Sequence, residues 1–375
     1  MFLNDIQTSV QDAVRTYAQK ELAPRSAQFE ANKGYPEAVF SNLAELGLMG
    51  MTAPAEYGGA GLDNVSYALA LMELAEADGA LSTIVSIQNS IIIGGILKDG
   101  TEEQKQKLLP ELTSGAAIGA FALTEPQAGS DASALRSTAV QQGDSWTING
   151  TKQFISNAKI GKYAMLVAVN DKEAGNRGMT AFVVPTDTPG YIVDKVEHKL
   201  GQAASDTCSI RFENMTVSDD CRLGEIGAGY KVALKNLETG RIGIAAQSVG
   251  MASAALQIAV GYARERTSFG KEIIEHQAVG HRLADLAAKL EASRQLVLHA
   301  ADLKDNDRPC LTEASMAKLV ASETAEQVVS GAIQTLGGYG YLEEFGVAKI
   351  YRDVRICQIY EGTSDIQRMV IARNL

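Results

Sequence analysis

Residues 312–336 read TEASMAKLVASETAEQVVSGAIQTL, and Gly337-Gly338 follows directly. Met316, Leu319, Val320, Val328, Val329, Ile333 and Leu336 recur at steps that a helix would gather on one broad apolar face. Thr312 is placed to cap its start and the glycine pair to end it, since a left-handed residue without a Cβ closes a helix cheaply. Two more long helical stretches precede it, at about 226–264 and 277–305. Long antiparallel helices of this kind build a four-helix bundle, so 226–375 is predicted to be a C-terminal helical bundle domain with a face for oligomerisation.

Working back along the chain, the period changes. Between 121 and 225 short alternating or β-branched runs appear, at 145–148, 163–169, 179–184 and 207–212, separated by turn signals such as Asn149-Gly150 and Pro189-Gly190. They predict a central β-barrel domain. Residues 1–120 return to helical spacing: Ile6, Val10, Val14 and Tyr17 share one stripe, and Thr101 with Gln104 forms a capping box ahead of Leu108. The chain is therefore an α+β multidomain protein, with an N-terminal helical domain, a β barrel and a helical bundle in that order. Strands do not alternate with helices, which argues against a doubly wound nicotinamide-binding sheet.

With 375 residues, 46% hydrophobic and 21% charged, the chain has the makings of a large folded core. Its net charge of -11, from 45 acidic and 34 basic side chains, repels a polyphosphate backbone and argues against nucleic-acid partners, while leaving room for local basic pockets. Cys208, Cys221, Cys310 and Cys357 are scattered, without a C-x-x-C pair, so neither zinc nor a disulfide framework is expected. His198, His276, His281 and His299 show no metal-ligand clustering, and no metal site is assigned. Asp5 and Gln7 fall where a secretion signal needs an apolar run, and apolar stretches such as Ile91–Leu97 are too short to span a bilayer. A cytoplasmic protein with no membrane association is expected.

Three segments carry chemistry. The first, 123–131, reads LTEPQAGSD; its hydroxyls on Thr124 and Ser130, with Gly129 between them, suit backbone approach to phosphate or flavin oxygens. The second is Gln334-x-x-Gly337-Gly338-x-Gly340-Tyr341-x-x-Glu344, continuing to Lys349 and Asp353. It leads into the third, IYEGTSDIQ at 359–367.

In content, order and spacing these segments resemble the signatures of the acyl-CoA dehydrogenase family, and the likeness covers essentially the whole chain. It implies one FAD per subunit and the removal of two hydrogens from carbons 2 and 3 of an acyl thioester. Glu361 stands where the family carries the base that takes the carbon 2 proton; the bland alternative is a solvated loop glutamate. A carboxylate is a weak base for a carbon acid, so such a site must raise its pKa by excluding water, with Ile359, Tyr360 and Ile366 as apolar neighbours. Some relatives carry the base at the position matching Gly240, which has no side chain to offer. The pair of Glu361 with Gly240 therefore resembles enzymes for short- to medium-chain or short branched acyl-CoA substrates.

The same resemblance assigns flavin contacts to Phe121, Leu123, Thr124, Gly129 and Ser130, and to Phe154 and Ser156, where many relatives have Trp and Thr. Arg266, Ser268 and Phe269, with His276 and Gln277 close by, would reach the dinucleotide of a neighbouring subunit, completed by Gln334, Gly337 and Gly338. Thr363 and Asp365 are further cofactor candidates. Ser130, Glu238, Arg241, Tyr360 and Gly362 are implied for the acyl-CoA substrate, with Arg241 alternatively a structural bundle charge. A homotetramer and an electron-transfer flavoprotein as electron acceptor are also implied. The rivals are an oxidase or nitroalkane-oxidising relative that passes electrons to oxygen, and a flavin- or acyl-CoA-binding protein without turnover. Ser315-x-x-Lys318 has the spacing of penicillin-recognising enzymes but lacks a Lys-Thr-Gly partner, and Gly224-x-x-Gly227-x-Gly229 reads as the loop before a helix.

Overall fold

The computed structural model of the chain describes residues 2–375. Helices α1 (Asp5–Tyr17), α2 (Ser26–Asn32), α3 (Glu37–Glu45), α4 (Asn64–Ala77), α5 (Gly79–Ile87), α6 (Gly94–Asp99) and α7 (Glu102–Thr113) make up the N-terminal part. The Thr101–Gln104 capping box opens α7 as expected, and Asn4 with Gln7 forms a second one on α1. Of the stripe read on α1, Val14 is buried and Val10 and Tyr17 pack against the core, but Ile6 is 65% exposed and Gln7 and Gln11 are buried in its stead. Polar contacts override the apolar pattern there, because the Gln11 amide donates to Glu73 Oε1 at 2.7 Å and Arg15 pairs with the same carboxylate at 2.9 Å, tying α1 to α4.

Strands β1 (Gly119–Ala122), β2 (Thr138–Gln142), β3 (Ser145–Ser156), β4 (Tyr163–Val169), β5 (Met179–Pro185), β6 (Tyr191–Val196), β7 (Thr207–Ser218) and β8 (Arg222–Leu223) form one sheet in the order β6-β7-β3-β2-β4-β5-β8, with β1 in parallel beside β4. Most of the pairs are antiparallel. The sheet folds around its own core, where Trp146, Ile148, Leu166, Phe182, Ile210 and Phe212 meet. Its outer face on β4 and β5 presents Met165, Val167 and Val183 to Ile92, Leu108 and Val232 of the helices.

The C-terminal part holds α8 (Gly229–Glu265), a small hairpin of β9 (Thr267–Ser268) and β10 (Lys271–Glu272), α9 (Gln277–Asp305), α10 (Leu311–Leu336), α11 (Val347–Val354) and α12 (Ser364–Ala372). Helices α8, α9 and α10 pack on one another, α4 lies against α8 and α9, and one core joins helices from both ends of the chain. The inward face of α10 differs from the reading above in its first half. It is lined by small residues, Ala314, Ala317, Ala321 and Ala325, whereas Met316 and Leu319 are only half-buried and Val320 is 37% exposed. Small side chains let α8 and α10 approach closely there, so Met316, Leu319 and Val320 turn outward, while farther along the helix Val328, Val329 and Leu336 are buried as expected. Cys310 is the N-cap of α10, without a side-chain cap bond, and Gly337 at φ +61 closes it.

Two helical runs, Gly79–Asp99 and Gly229–Glu265, are long and apolar enough by length and composition to cross a membrane, and both are mostly buried inside the fold. This corrects the reading of Ile91–Leu97 as part of too short a stretch: a π-helical segment, Gln88–Ile93, fuses α5 and α6 into one apolar run.

Candidate active site

The loop between α11 and α12 carries Glu361 at φ +53, followed by Gly362 at φ +92. A left-handed glutamate is strained, and such a conformation persists only where the surroundings dictate it. Here they do. Lys318, fully buried on α10, donates from Nζ to the Gly362 carbonyl at 2.7 Å. The buried Gln367 amide, on α12, donates to the same oxygen at 2.9 Å and to the Glu361 carbonyl at 3.2 Å. Thr363 Oγ1 accepts from Ile366 N at 3.3 Å and so caps α12 immediately behind the loop. The Tyr360 hydroxyl donates to Gln247 Oε1 and lies 3.4 Å from Thr83 Oγ1, which turns that ring into the protein as an anchor.

The Glu361 carboxyl points at α8. A Cβ on Gly240 would sit 1.8 Å from Glu361 Oε2, so glycine is required there to make room for the carboxyl. One turn on, a Cβ on Gly243 would meet the Tyr67 hydroxyl and Ser86 Oγ, each at 2.4 Å. The two glycines therefore let the Glu361 carboxyl and the Tyr67–Ser86 pair, whose oxygens are 3.1 Å apart, pack directly against successive turns of α8. Glu361 Oε2 is buried and without a hydrogen-bond partner. Burial pushes the carboxyl pKa up to about 7, against the pull of the Lys318 and Arg241 charges. Arg241 is itself buried, donates to Ser315 Oγ at 3.2 Å, and leaves its Nε unpartnered. Burial also lowers both cations, Lys318 to about 8. Burial holds the Tyr67 phenol well above its ordinary pKa, with the Glu361 charge adding to the effect, so it stays neutral.

A second cluster joins the 123–131 loop to the end of β3. Gln153 N donates to the Thr124 carbonyl at 2.8 Å, and Lys152 Nζ donates to the carbonyls of Leu123 at 3.1 Å and Val167 at 2.7 Å. Lys152 also pairs with Glu125 at 2.8 Å with both side chains buried. Burial disfavours the Glu125 carboxylate, but the Lys152 charge and hydrogen bonds, with those from Ser137 and Arg136, outweigh it and carry its pKa down to about 2. This clamp sets Thr124 beside Phe154, which is held at φ +61 with its ring 64% exposed. Phe121 and Ser156 are half-buried nearby in sequence, Leu123 is buried, and Gly129 and Ser130 form an exposed tip.

The third group lies around the β9–β10 hairpin. Phe269 and Gly270, at φ +53 and +83, make its turn, and the Phe269 ring is 96% exposed. His276 Nε2 is 3.0 Å from the Ser268 carbonyl, and Gln277 opens α9. Arg266, Ser268, Gly337 and Gly338 line one cavity of about 410 Å³. Gln334 lies apart from them, in a hollow with Arg282 and Gln358. Glu238 pairs with Lys304 at 3.2 Å, and Asp365 is exposed, 3.8 Å from Arg368. Among the described residues no cluster of His, Cys, Asp or Glu is arranged to hold a metal ion.

Several of these residues escaped the sequence reading. Lys318 and Ser315 were a spacing to discount, and Gln367, Tyr67, Ser86 and Gln247 had no visible signal. Gly243 alone had one: glycines three apart in an otherwise good helix, which strand a helix face without side chains.

Residues 4–116, 120–215 and 227–375 match, in that order, the family models described as the acyl-CoA dehydrogenase N-terminal, middle and C-terminal domains. The short-chain specific acyl-CoA dehydrogenase, mitochondrial, of Bos taurus is 46% identical over 373 residues, covering 100% of this chain and 90% of that one. The solved structure of butyryl-CoA dehydrogenase from Megasphaera elsdenii superposes with a TM-score of 0.97 at 40% identity, covering 100% of this chain and 99% of that one. A chain in a structure described as the electron transferring flavoprotein of Acidaminococcus fermentans superposes with a TM-score of 0.98 at 40% identity, covering 100% and 98%.

Proposed function

The chain belongs to the acyl-CoA dehydrogenase family, oxidoreductases acting on a CH–CH group, and we propose that it introduces a double bond between carbons 2 and 3 of a short-chain acyl-CoA, with FAD bound and Glu361 as the base. The observation that carries this reading is the Glu361 carboxyl: one oxygen is buried without a partner and set against Gly240 of α8, and its pKa is raised to about 7.

Each chain residue has a definable task. Glu361 takes the proton from carbon 2. A base with a pKa near 7 is ionised in useful amount at neutral pH and binds a proton far more strongly than an ordinary glutamate. Negative charge then develops on the thioester oxygen. Among the described residues the Glu361 N–H has no acceptor, so it is free to donate to that oxygen. Lys318 and Gln367 keep the loop fixed through this change.

The residues fit a flavin dinucleotide. Phe154 offers an exposed ring beside Thr124, and the Arg266, Ser268, Gly337 and Gly338 cavity joins a cation to open backbone, the donor set a pyrophosphate wants. We assign Phe121, Leu123, Thr124, Gly129, Ser130, Phe154 and Ser156 to the flavin half, and Arg266, Ser268, Phe269, His276, Gln277, Gln334, Gly337, Gly338, Thr363 and Asp365 to the rest. When bound, this cofactor supplies the hydride acceptor for carbon 3. Ser130 and Gly362 remain our candidates for coenzyme A. The exposed Phe269 turn supports a homotetramer with shared sites, and the Acidaminococcus fermentans likeness supports an electron-transfer flavoprotein as acceptor. All four cysteines are free, in keeping with a reducing compartment such as the cytoplasm.

The test is anaerobic titration of the flavin-loaded protein with acyl-CoAs of increasing chain length. Bleaching of the flavin absorbance, fastest with butyryl-CoA and lost in Glu361→Gln, is expected. A spectrum unmoved by every acyl-CoA would refute the assignment.

A further inference from the structure

We propose that Lys318 is a positioning residue for the base: its ammonium, seated on the Gly362 carbonyl, holds the Glu361 loop in its left-handed turn and supplies the buried countercharge that lets the carboxylate form without water. The inference rests on the reading of Glu361 as the base. One turn of α10 sets up the arrangement, because Ser315 and Lys318 fall on the same face; Ser315 Oγ takes Arg241 and Lys318 takes the loop. The α10 backbone beneath them is locked by Ala314 and Ala317 packed into the core shared with α8, so the ammonium has a rigid mount.

Gln367 separates the two parts of the role. It donates to the same Gly362 oxygen at 2.9 Å, so the loop geometry is held twice, once by a neutral amide and once by a cation. Loss of Lys318 therefore leaves one tether and removes one charge. The charged and titratable groups around the pair are Arg241 on α8, Tyr67 on α4, Glu323 on α10 and Cys357 before the loop. Of these only Arg241 is a cation, and it is partly committed to Ser315. Lys318 is the cation with a bond to the loop itself.

The experiment compares Lys318→Met, Lys318→Gln and Lys318→Arg in the flavin-loaded protein. The Gln variant keeps a donor for Gly362 and drops the charge; the Arg variant keeps the charge. The Lys318 charge pulls the Glu361 pKa down, and a nearby opposite charge typically moves a carboxyl pKa by about one unit or more. Lys318→Met and Lys318→Gln are expected to lower kcat/KM about tenfold at pH 7 and to recover most of it above pH 8, whereas Lys318→Arg stays within about threefold of wild type throughout. The second readout needs no turnover: infrared titration of the Glu361 carboxyl in the resting protein, identified as the band missing in Glu361→Gln, should move to higher pH in the Met and Gln variants. If Lys318→Met does not accumulate folded, Lys318→Gln alone carries the expectation. An unmoved carboxyl titration in a folded charge-removing variant overturns the proposal. Turnover by Glu361→Gln would instead overturn the base assignment, and the infrared titration would still report what Lys318 does to that carboxyl.

Discussion

Replacing Glu361 by Gln should stabilise the protein at neutral pH while it removes the base. In the folded chain the carboxyl titrates at about 7, and in the unfolded chain at about its ordinary 4.5. A carboxyl whose folded pKa is raised gives its full stability below the unfolded value and loses it as pH climbs through the folded one, because only the unfolded chain ionises freely in between. A gap of about 2.5 units at 1.36 kcal/mol each makes a loss of about 3 kcal/mol between pH 4.5 and 7.5. Gln mimics the protonated acid and does not titrate, so its advantage over wild type should be small at pH 4.5 and grow by about that amount at pH 7.5. From about pH 7 upward the Lys318 ammonium, with its pKa of about 8, begins to titrate as well, which sets the upper limit of the window. Urea midpoints of both proteins, at fixed protein and flavin concentration, measure the difference at each pH. A Gln-minus-wild-type difference that stays flat from pH 4.5 to 7.5 would refute the reasoning, since it would mean the carboxyl is not desolvated.

Three further outcomes follow from the same geometry. Gly240→Ala puts a methyl 1.8 Å from Glu361 Oε2, so the base must shift, and a loss of about 100-fold or more in kcat/KM with flavin content unchanged is expected from steady-state rates and absorbance. For wild type, kcat/KM should rise with pH through a midpoint near 7, the carboxylate being the active form; a profile flat from pH 5 to 9 counts against Glu361. Lys152→Met leaves the buried Glu125 carboxylate without its cation and should destabilise by about 3–5 kcal/mol, read as a fall in urea midpoint, with loosened flavin retention as the 123–131 loop loses one of its tethers.

How much of this was legible depended on what each signal was made of. The helical, β, helical order was readable because hydrophobic period is a local property, and the capping box at Thr101 was readable because it spans one turn. Glu361 and Gly240 were readable as a pair, one by its motif and the other by having no side chain. The inward face of the first half of α10 was not, because periodicity ranks residues by hydrophobicity while close helix packing selects by size, and Ala314, Ala317 and Ala321 won the interface over Met316 and Leu319. Ile6 was misread for a different reason: the polar tie of Gln11 and Arg15 to Glu73 joins residues some 60 positions apart, which no local window contains. Lys318 had the same handicap. Its partner carbonyl lies 44 residues downstream, and a lysine in a helix is ordinarily a solvated one.

The site balances two opposed requirements on one carboxyl group. A base strong enough for a carbon acid has to be poor at holding negative charge, which burial without a partner on Oε2 provides. Burial alone would leave the acid protonated at working pH and useless, and the two cations beneath the loop limit that effect. The pKa of about 7 shows which influence is larger: desolvation prevails over the combined pull of Lys318 and Arg241 by a margin that still allows ionisation near neutrality. Gly240 and Gly243 make the balance possible, since without Cβ atoms there the carboxyl and the Tyr67–Ser86 pair can pack directly against α8.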